Sequence, residues 1–193
     1  MKKKLLFSLA VLVFASLACT VSIGGPDYSD RPVIPVSNEA AESLKEEIKR
    51  AFEAGASTGE VTLNITEPQI TSVLALRLQT DPNMQQDKKP LITDPQVYLR
   101  DGQMQIFGKT QQGIFTANIG IIVAVDVDEN GKPQIEIVSA DFGPLPAPEG
   151  LNTAISAMIQ EAYTGAVGPV ATGLRIQSIN IADGIMTLNG RIR

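Results

Sequence analysis

The chain has 193 residues, 44% hydrophobic and 19% charged, with 21 acidic side chains against 16 basic, one cysteine and neither histidine nor tryptophan. That length suits one domain with a sizeable core, and a single cysteine excludes a disulfide framework. Without histidine the commonest general base and transition-metal ligand are gone, and a net charge of −5 repels nucleic acid.

Met1-Lys2-Lys3-Lys4 precedes an uncharged run from Leu5 to Ala18, the layout of a basic n-region and an apolar h-region. Crossing a bilayer takes about 20 apolar residues, so this run is short for a permanent span, and residues 1–18 are expected to be a signal peptide. Ser16-Leu17-Ala18-Cys19 resembles the lipobox of bacterial lipoproteins, with the usual leucine displaced by one place. An unpaired thiol in an exported protein needs a role, and acylation of Cys19 supplies one. Cleavage before Cys19 removes three of the 16 basic residues and none of the 21 acidic ones, leaving 175 residues with a charge of −8. Anchoring then rests on acyl chains rather than on basic side chains. The expected location is extracytoplasmic, on the cell membrane or on an outer membrane where the source has one.

Residues 19–37 carry Gly24-Gly25-Pro26, Pro32 and Pro35 among scattered Asp and Ser, with no period of 2 or 3.6, and are expected to be a flexible tether. Residues 38–193 form the body. A first helix is expected from Asn38 to Ala54, closed by Gly55, with Leu44, Ile48, Ala51 and Phe52 along one stripe. A short strand from Glu60 to Ile65 follows. Thr66-Glu67-Pro68-Gln69 is a capping box with proline in the first turn, so a second helix carries Ile70, Val73, Leu74 and Leu78 inward.

From Asp94 to Phe142 the pattern is an antiparallel meander with Asp101-Gly102 and Asn130-Gly131 as hairpin signals. In its longest strand, 113–128, every odd position from Phe115 to Val127 is apolar, so that face is expected to lie on the core along its whole length. The Asn130-Gly131 turn needs an odd-length loop, three or five residues, to put Val127 opposite Ile135 and Val125 opposite Ile137, with positive φ at Gly131. Gly143 to Pro148 ends the sheet, and a third helix over 148–164 shows an apolar stripe of Leu151, Ala154, Ile155, Met158, Ile159 and Ala162. The last hairpin, Leu174 to Arg193, superposes on the first without a gap. Val97 to Lys109 and Ile179 to Arg191 share the form apolar, x, apolar, x, Asp-Gly, x, Met, x, apolar, x, Gly, basic. Two-residue turns would set Leu99 opposite Met104 and Val97 opposite Ile106, and Ile181 opposite Met186 and Ile179 opposite Leu188. Gly108 and Gly190 then sit where a curving sheet wants a bulge. The fold class expected from this order is α+β: a curved antiparallel sheet, meander plus C-terminal hairpin, packed on or wrapped around helices.

Asp126-Val127-Asp128-Glu129-Asn130-Gly131 matches the opening of a calcium-binding loop, but the twelfth position, where a bidentate Glu belongs, is Ile137. It reads as a polar hairpin tip. No serine sits in a nucleophile elbow, no pair of acids lies within an apolar stripe, and no glycine-rich phosphate loop is present. The reading is non-catalytic, with no cofactor and no metal.

Glu129-Asn130-Gly131-Lys132-Pro133 through Gly143-Pro144-Leu145-Pro146, followed by a helix and a final strand pair, resembles the YpmS-like family of bacterial envelope proteins. The layout over residues 38–193 is also similar to LmeA-like proteins and, more remotely, to the tubular lipid-binding superfamily, in which a curved sheet wraps a long helix around an apolar channel. What the resemblance implies is a domain that holds lipid or another apolar ligand, lined by Phe115, Ile119, Ile121, Val123 and Val125 of the long strand and Leu151, Ile155, Met158 and Ile159 of the third helix. Those same residues read equally well as ordinary close-packed core. An envelope scaffold that binds a protein partner through a sheet edge or helix surface therefore stays open as the alternative.

Overall fold

The computed structural model describes residues 21–82, 85–86, 89–151, 153 and 173–192. Among the described residues two long helices pack into a strongly curled, half-barrel sheet system in an α+β fold. Helix α1 (Asn38–Gly55) begins at the expected residue and is capped by Ser37, whose hydroxyl accepts from the Ala40 amide at 3.0 Å. It buries small residues, Ala41, Ala51 and Gly55, and half-buries Leu44, Ile48 and Phe52, against β2 (Glu60–Thr66) and α2 (Glu67–Thr80). Strand β2 runs into α2 without a loop. Gln69 Oε1 accepts from the Thr66 amide at 2.9 Å, which satisfies a backbone donor at the helix start. From there α2 buries Thr71, Ser72, Leu74, Ala75 and Leu78.

A two-stranded ribbon, β3 (Gln85–Gln86) and β4 (Lys89–Pro90), leads to the meander of β5 (Thr93–Arg100), β6 (Gln103–Gln112), β7 (Phe115–Val127) and β8 (Pro133–Asp141). The Asp101-Gly102 turn has φ of 55° and 74°, the left-handed geometry that a two-residue hairpin demands, and it sets Leu99 opposite Met104 and Val97 opposite Ile106. The loop between β7 and β8 is residues 128–132, five long, and Gly131 has φ 77°. Its pairs are shifted by two from those expected, with Val127 opposite Pro133 and Val125 opposite Ile135. The parity, and therefore the apolar face, is unchanged.

The last hairpin, β9 (Leu174–Ala182) and β10 (Ile185–Ile192), pairs Ile181 with Met186 and Ile179 with Leu188. It does not extend the meander. Strand β10 pairs with β2 over seven residues, Ile185 on Thr66 through Arg191 on Glu60, giving a second, three-stranded sheet. Gly190 sits at the register shift of this sheet, and Gly108 faces the one between Thr93 and Gln96, so both mark places where a strand bends. The two hairpin tips meet: the Gly184 amide donates to Leu99 O at 3.0 Å, and the Glu67 amide to Gly184 O at 3.2 Å.

The inner face carries one core of Leu74, Leu78, Leu91, Ile92, Val97, Ile119, Ile121, Val123 and Leu151. Burial along β7 is not uniform, as the period-2 pattern had implied. Ala117 to Val123 are buried at odd positions, but Phe115, at the strand's start, is 44% exposed. The alternation fixes the face, whereas the reach of α2 and its neighbours decides how much of it is covered.

Residues 21–37, the described part of the expected tether, are not free. Strand β1 (Val21–Ser22) pairs parallel with β7, Val21 on Phe115 and Ser22 on Thr116, on the edge that β8 leaves empty below Gly120. The sheet is therefore mixed rather than wholly antiparallel. The chain then crosses the outer face. Asn118 donates its amide to Gly24 O at 2.8 Å, Tyr28 packs on Phe107 with ring centroids 5.1 Å apart, and Arg31 lies 4.7 Å from the Phe107 centroid and 5.0 Å from that of Tyr98. Gln96 bonds both backbone groups of Ile34, accepting from its amide at 2.7 Å and donating to its carbonyl at 3.2 Å. Such contacts require particular partners rather than a period, which is why a window of sequence without amphipathicity concealed them.

Candidate apolar ligand site

The site begins with a bulge. Strand β8 follows β7 in register from Val127–Pro133 to Val123–Ile137, then slips so that Ile122 faces Ser139 and Ile121 faces Ala140. Val138 is the extra residue. A bulge inverts side-chain parity beyond it, so Ala140 joins Ile137 on the inner face although an odd and an even number separate them. Past Asp141 the carboxylate accepts from the Gly143 amide at 2.8 Å, and Phe142 amid the proline-rich turn folds back toward the sheet, with Leu145 donating to Phe142 O at 3.3 Å.

Between the inner face of β7–β8 and this turn lies a cavity of about 460 Å³, lined by Ile121, Ile137, Ala140, Phe142, Ala147 and Pro148 with Glu149, Gly150, Leu151 and Thr153. Ile137 is 42% exposed and half open to it. Among the described lining residues Glu149 alone is ionisable, and it stands exposed at the rim. Such a surface favours apolar contact and offers no acid–base pair to a substrate.

The expected lining residues divide sharply. Ile121 and Leu151 line the cavity. Ile119 and Val123 are closed within the core, with Val125 packed against it, and Phe115 is turned to solvent away from the site. Ile155, Met158 and Ile159 lie outside the described residues, as does Cys19; of the third helix expected over 148–164, residues 148–150 are a turn, with Gly150 at φ 83°, and only Leu151 and Thr153 are described as helical. Ile137, Ala140, Phe142, Ala147 and Pro148 were missed. One signal was present: Val138, apolar at an even position where the strand alternates, marks the bulge that brings Ala140 inward.

No family model and no curated protein matches this chain. Among solved structures it is similar to a crystal structure of lipopolysaccharide binding protein, at 11% identity and a TM-score of 0.30, over 69% of this chain and 49% of that one. The match thus spans about half the length of that protein. At that distance the likeness carries no argument about this site.

The acidic tip lies at the far end of β7. Asp128 Oδ1 accepts from the Lys132 amide at 2.8 Å and the Asn130 amide at 2.9 Å, and those bonds hold its carboxyl below the ordinary range, the Lys132 amide contributing most. One carboxylate oxygen is thus engaged by the turn's own amides, and strands flank the loop on both sides. Among the described residues no three acidic side chains gather as a metal site would need.

Proposed function

We propose that this chain is a membrane-anchored bacterial lipoprotein, cut before Cys19 and acylated there, whose extracytoplasmic domain binds lipid or another apolar ligand without catalysis. The observation that carries the ligand half of this reading is the cavity beside β8, whose volume of about 460 Å³ falls in the ordinary range for small-ligand sites. The anchor half is supported by the leader, the lone cysteine and the acidic charge of the remainder. Kinship with YpmS-like envelope proteins belongs to the same proposal. Among the described residues no helix is long and apolar enough to cross a membrane, so attachment by acyl chains is the mode this reading requires.

Native mass spectrometry of the detergent-purified full chain, with organic extraction of noncovalent lipid, tests the ligand. Extraction should release an apolar molecule, and Ala140→Trp, which fills the cavity, should abolish its retention while the fold persists. A protein that carries nothing extractable and takes up no fluorescent fatty acid would refute ligand binding.

One observation favours the scaffold reading. Strand β8 is an edge that pairs only with β7 among the described residues, and it exposes Ile137 and Val138 by 42% and 52%. An uncovered apolar edge is a template for strand addition by a partner. Val138→Lys separates the two readings, since it should prevent strand addition and leave ligand retention unchanged.

A further inference from the structure

The end of the sheet where β6 turns into β7 carries an exposed apolar group next to the point where the chain enters the sheet. Val21, Ile114 and Phe115 are exposed by 45%, 59% and 44%, and they are neighbours: the Val21 amide donates to Ile114 O at 2.9 Å, and Val21 stands opposite Phe115 in the β1–β7 pairing. Single exposed apolar side chains are ordinary on a protein surface. Three large ones in one contact at a hairpin tip form a patch that calls for a partner.

Charge sets the same end apart. From Gly102 to Val125 there is no acidic residue and only one basic one, Lys109, in a chain with 21 acids. Lys109 is paired with Asp94 at 2.9 Å. At the opposite end Asp101, Asp126, Asp128 and Glu129 occupy or flank the two other meander turns, interleaved with Arg100, Lys132 and Arg175. The meander alternates direction, so those two turns share one end and the Gly113-Ile114 turn stands alone at the other. The meander therefore has one end dense in charges of both signs and one apolar end, with the Lys109–Asp94 pair set back from its tip.

Where the chain enters the sheet decides which way the body faces. Val21 is two residues from Cys19, and at about 3.8 Å per residue those two steps span no more than about 8 Å. A long tether would leave the body's orientation free, but β1 fixes Val21 to the edge of β7. The acyl chains on Cys19 thus enter the bilayer beside the apolar end. The rim of the cavity is tied to the same end, because Gln112 Nε2 donates to Pro146 O at 3.3 Å.

We infer that Val21, Ile114 and Phe115 form a membrane-contacting tip that seats the domain directly on the bilayer, with the Asp101 and Asn130 turns outward and the proline-rich turn that walls the cavity on the side toward the lipid surface. The partner is the headgroup and upper acyl region of a lipid bilayer, where apolar side chains without acidic neighbours are accepted and acidic ones are repelled by anionic headgroups. This inference rests on acylation at Cys19, and it adds a second, noncovalent contact that sets orientation and places the cavity within reach of membrane lipid.

The chain has no tryptophan, so single indoles report position without background. The full-length acylated protein is reconstituted into phosphatidylcholine vesicles with brominated acyl chains, carrying Ile114→Trp at this tip or Asn130→Trp at the opposite one. The first indole should be blue-shifted and quenched several-fold more than the second. An indole at Gln111→Trp should be quenched as well, and adding Ile114→Ser and Phe115→Ser should relieve that quenching, which excludes an indole that merely seeks the interface by itself. If the protein floats with the vesicles but neither tip is quenched, or both are quenched alike, the oriented tip is overturned and the anchor stands. Relief absent from the serine variant overturns the role of the apolar pair. Protein that never floats overturns the anchor and this inference with it.

Discussion

Glu67 is buried to 13% side-chain exposure at the junction of the two sheets, where its Oε1 accepts from the Leu99 amide at 2.8 Å and pairs with Arg100. One helix turn further on, the Thr71 hydroxyl accepts from the Val97 amide at 3.1 Å. Strand β5 thus has two outward amides that no strand reaches, and side chains of α2 satisfy both, which closes an edge that would otherwise template aggregation. Removing an acceptor while its donor stays buried costs about 1–3 kcal/mol. Glu67→Ala should lower the free energy of urea unfolding by that amount, and Glu67→Gln, which keeps the carbonyl acceptor, by clearly less. At the other tip, Asp128 has a folded pKa below its unfolded one. Its contribution is therefore fully present above the unfolded value and lost as pH falls through the folded value. The Asn130 and Lys132 amide resonances should move together in that acid window, and Asp128→Ala should abolish the transition. Asp128 is half-buried at a hairpin tip, so the effect belongs to the tip and leaves global stability nearly unchanged.

At the scale of elements, the segment from Val21 to Ser37 behaves as a strap. It docks by a parallel strand pair, an aromatic and arginine stack on Phe107 and Tyr98, and the Gln96 clasp on Ile34. Gly25 is the point at which it leaves the sheet edge for the outer face. Its φ is +108°, and a Cβ there would stand 2.1 Å from Asn118 O. Neither the angle nor the space admits an L side chain. Gly25→Ala should lift the strap from β7, seen as faster amide exchange at Ile23 and Asn118 while exchange in β9 and β10 is unchanged. If those amides stay protected, the pairing of β1 on β7 does not depend on Gly25.

For the whole molecule, the decisive division is between inner-face residues that hold the fold and those left open to a ligand. Ile119 and Ile121 are both buried in the core, whereas Ile137, opposite Val123 on β8, is 42% exposed at the cavity wall. Ile119→Ala should cost about 2–5 kcal/mol, the range for deleting buried aliphatic groups in a close-packed core. Ile137→Ser, at a half-open wall, should cost well under that and weaken retention of the extracted ligand instead. Equal losses of stability from the two would make the cavity part of the core and end the ligand reading.

The α+β class, both helices, the β-turns and the strand faces were legible in the chain because each rests on local chemistry: caps, glycine and aspartate in left-handed turns, and periods of 2 and 3.6. The two Asp-Gly hairpins had their pairs readable to the residue, since a two-residue turn leaves one register open. The site was legible only at Ile121 and Leu151. Its other walls depend on the bulge at Val138 and on the fold-back of Phe142 to Pro148, and both follow from how far β8 stays paired with a curling neighbour. The same holds for β2, whose partner is β10 across more than a hundred residues, and for the strap, whose contacts scatter over β5, β6 and β7. Local pattern determined which residues face inward. Only the tertiary structure decided which of those inward residues are covered and which stay open, because coverage is a property of the elements brought against a face from far along the chain.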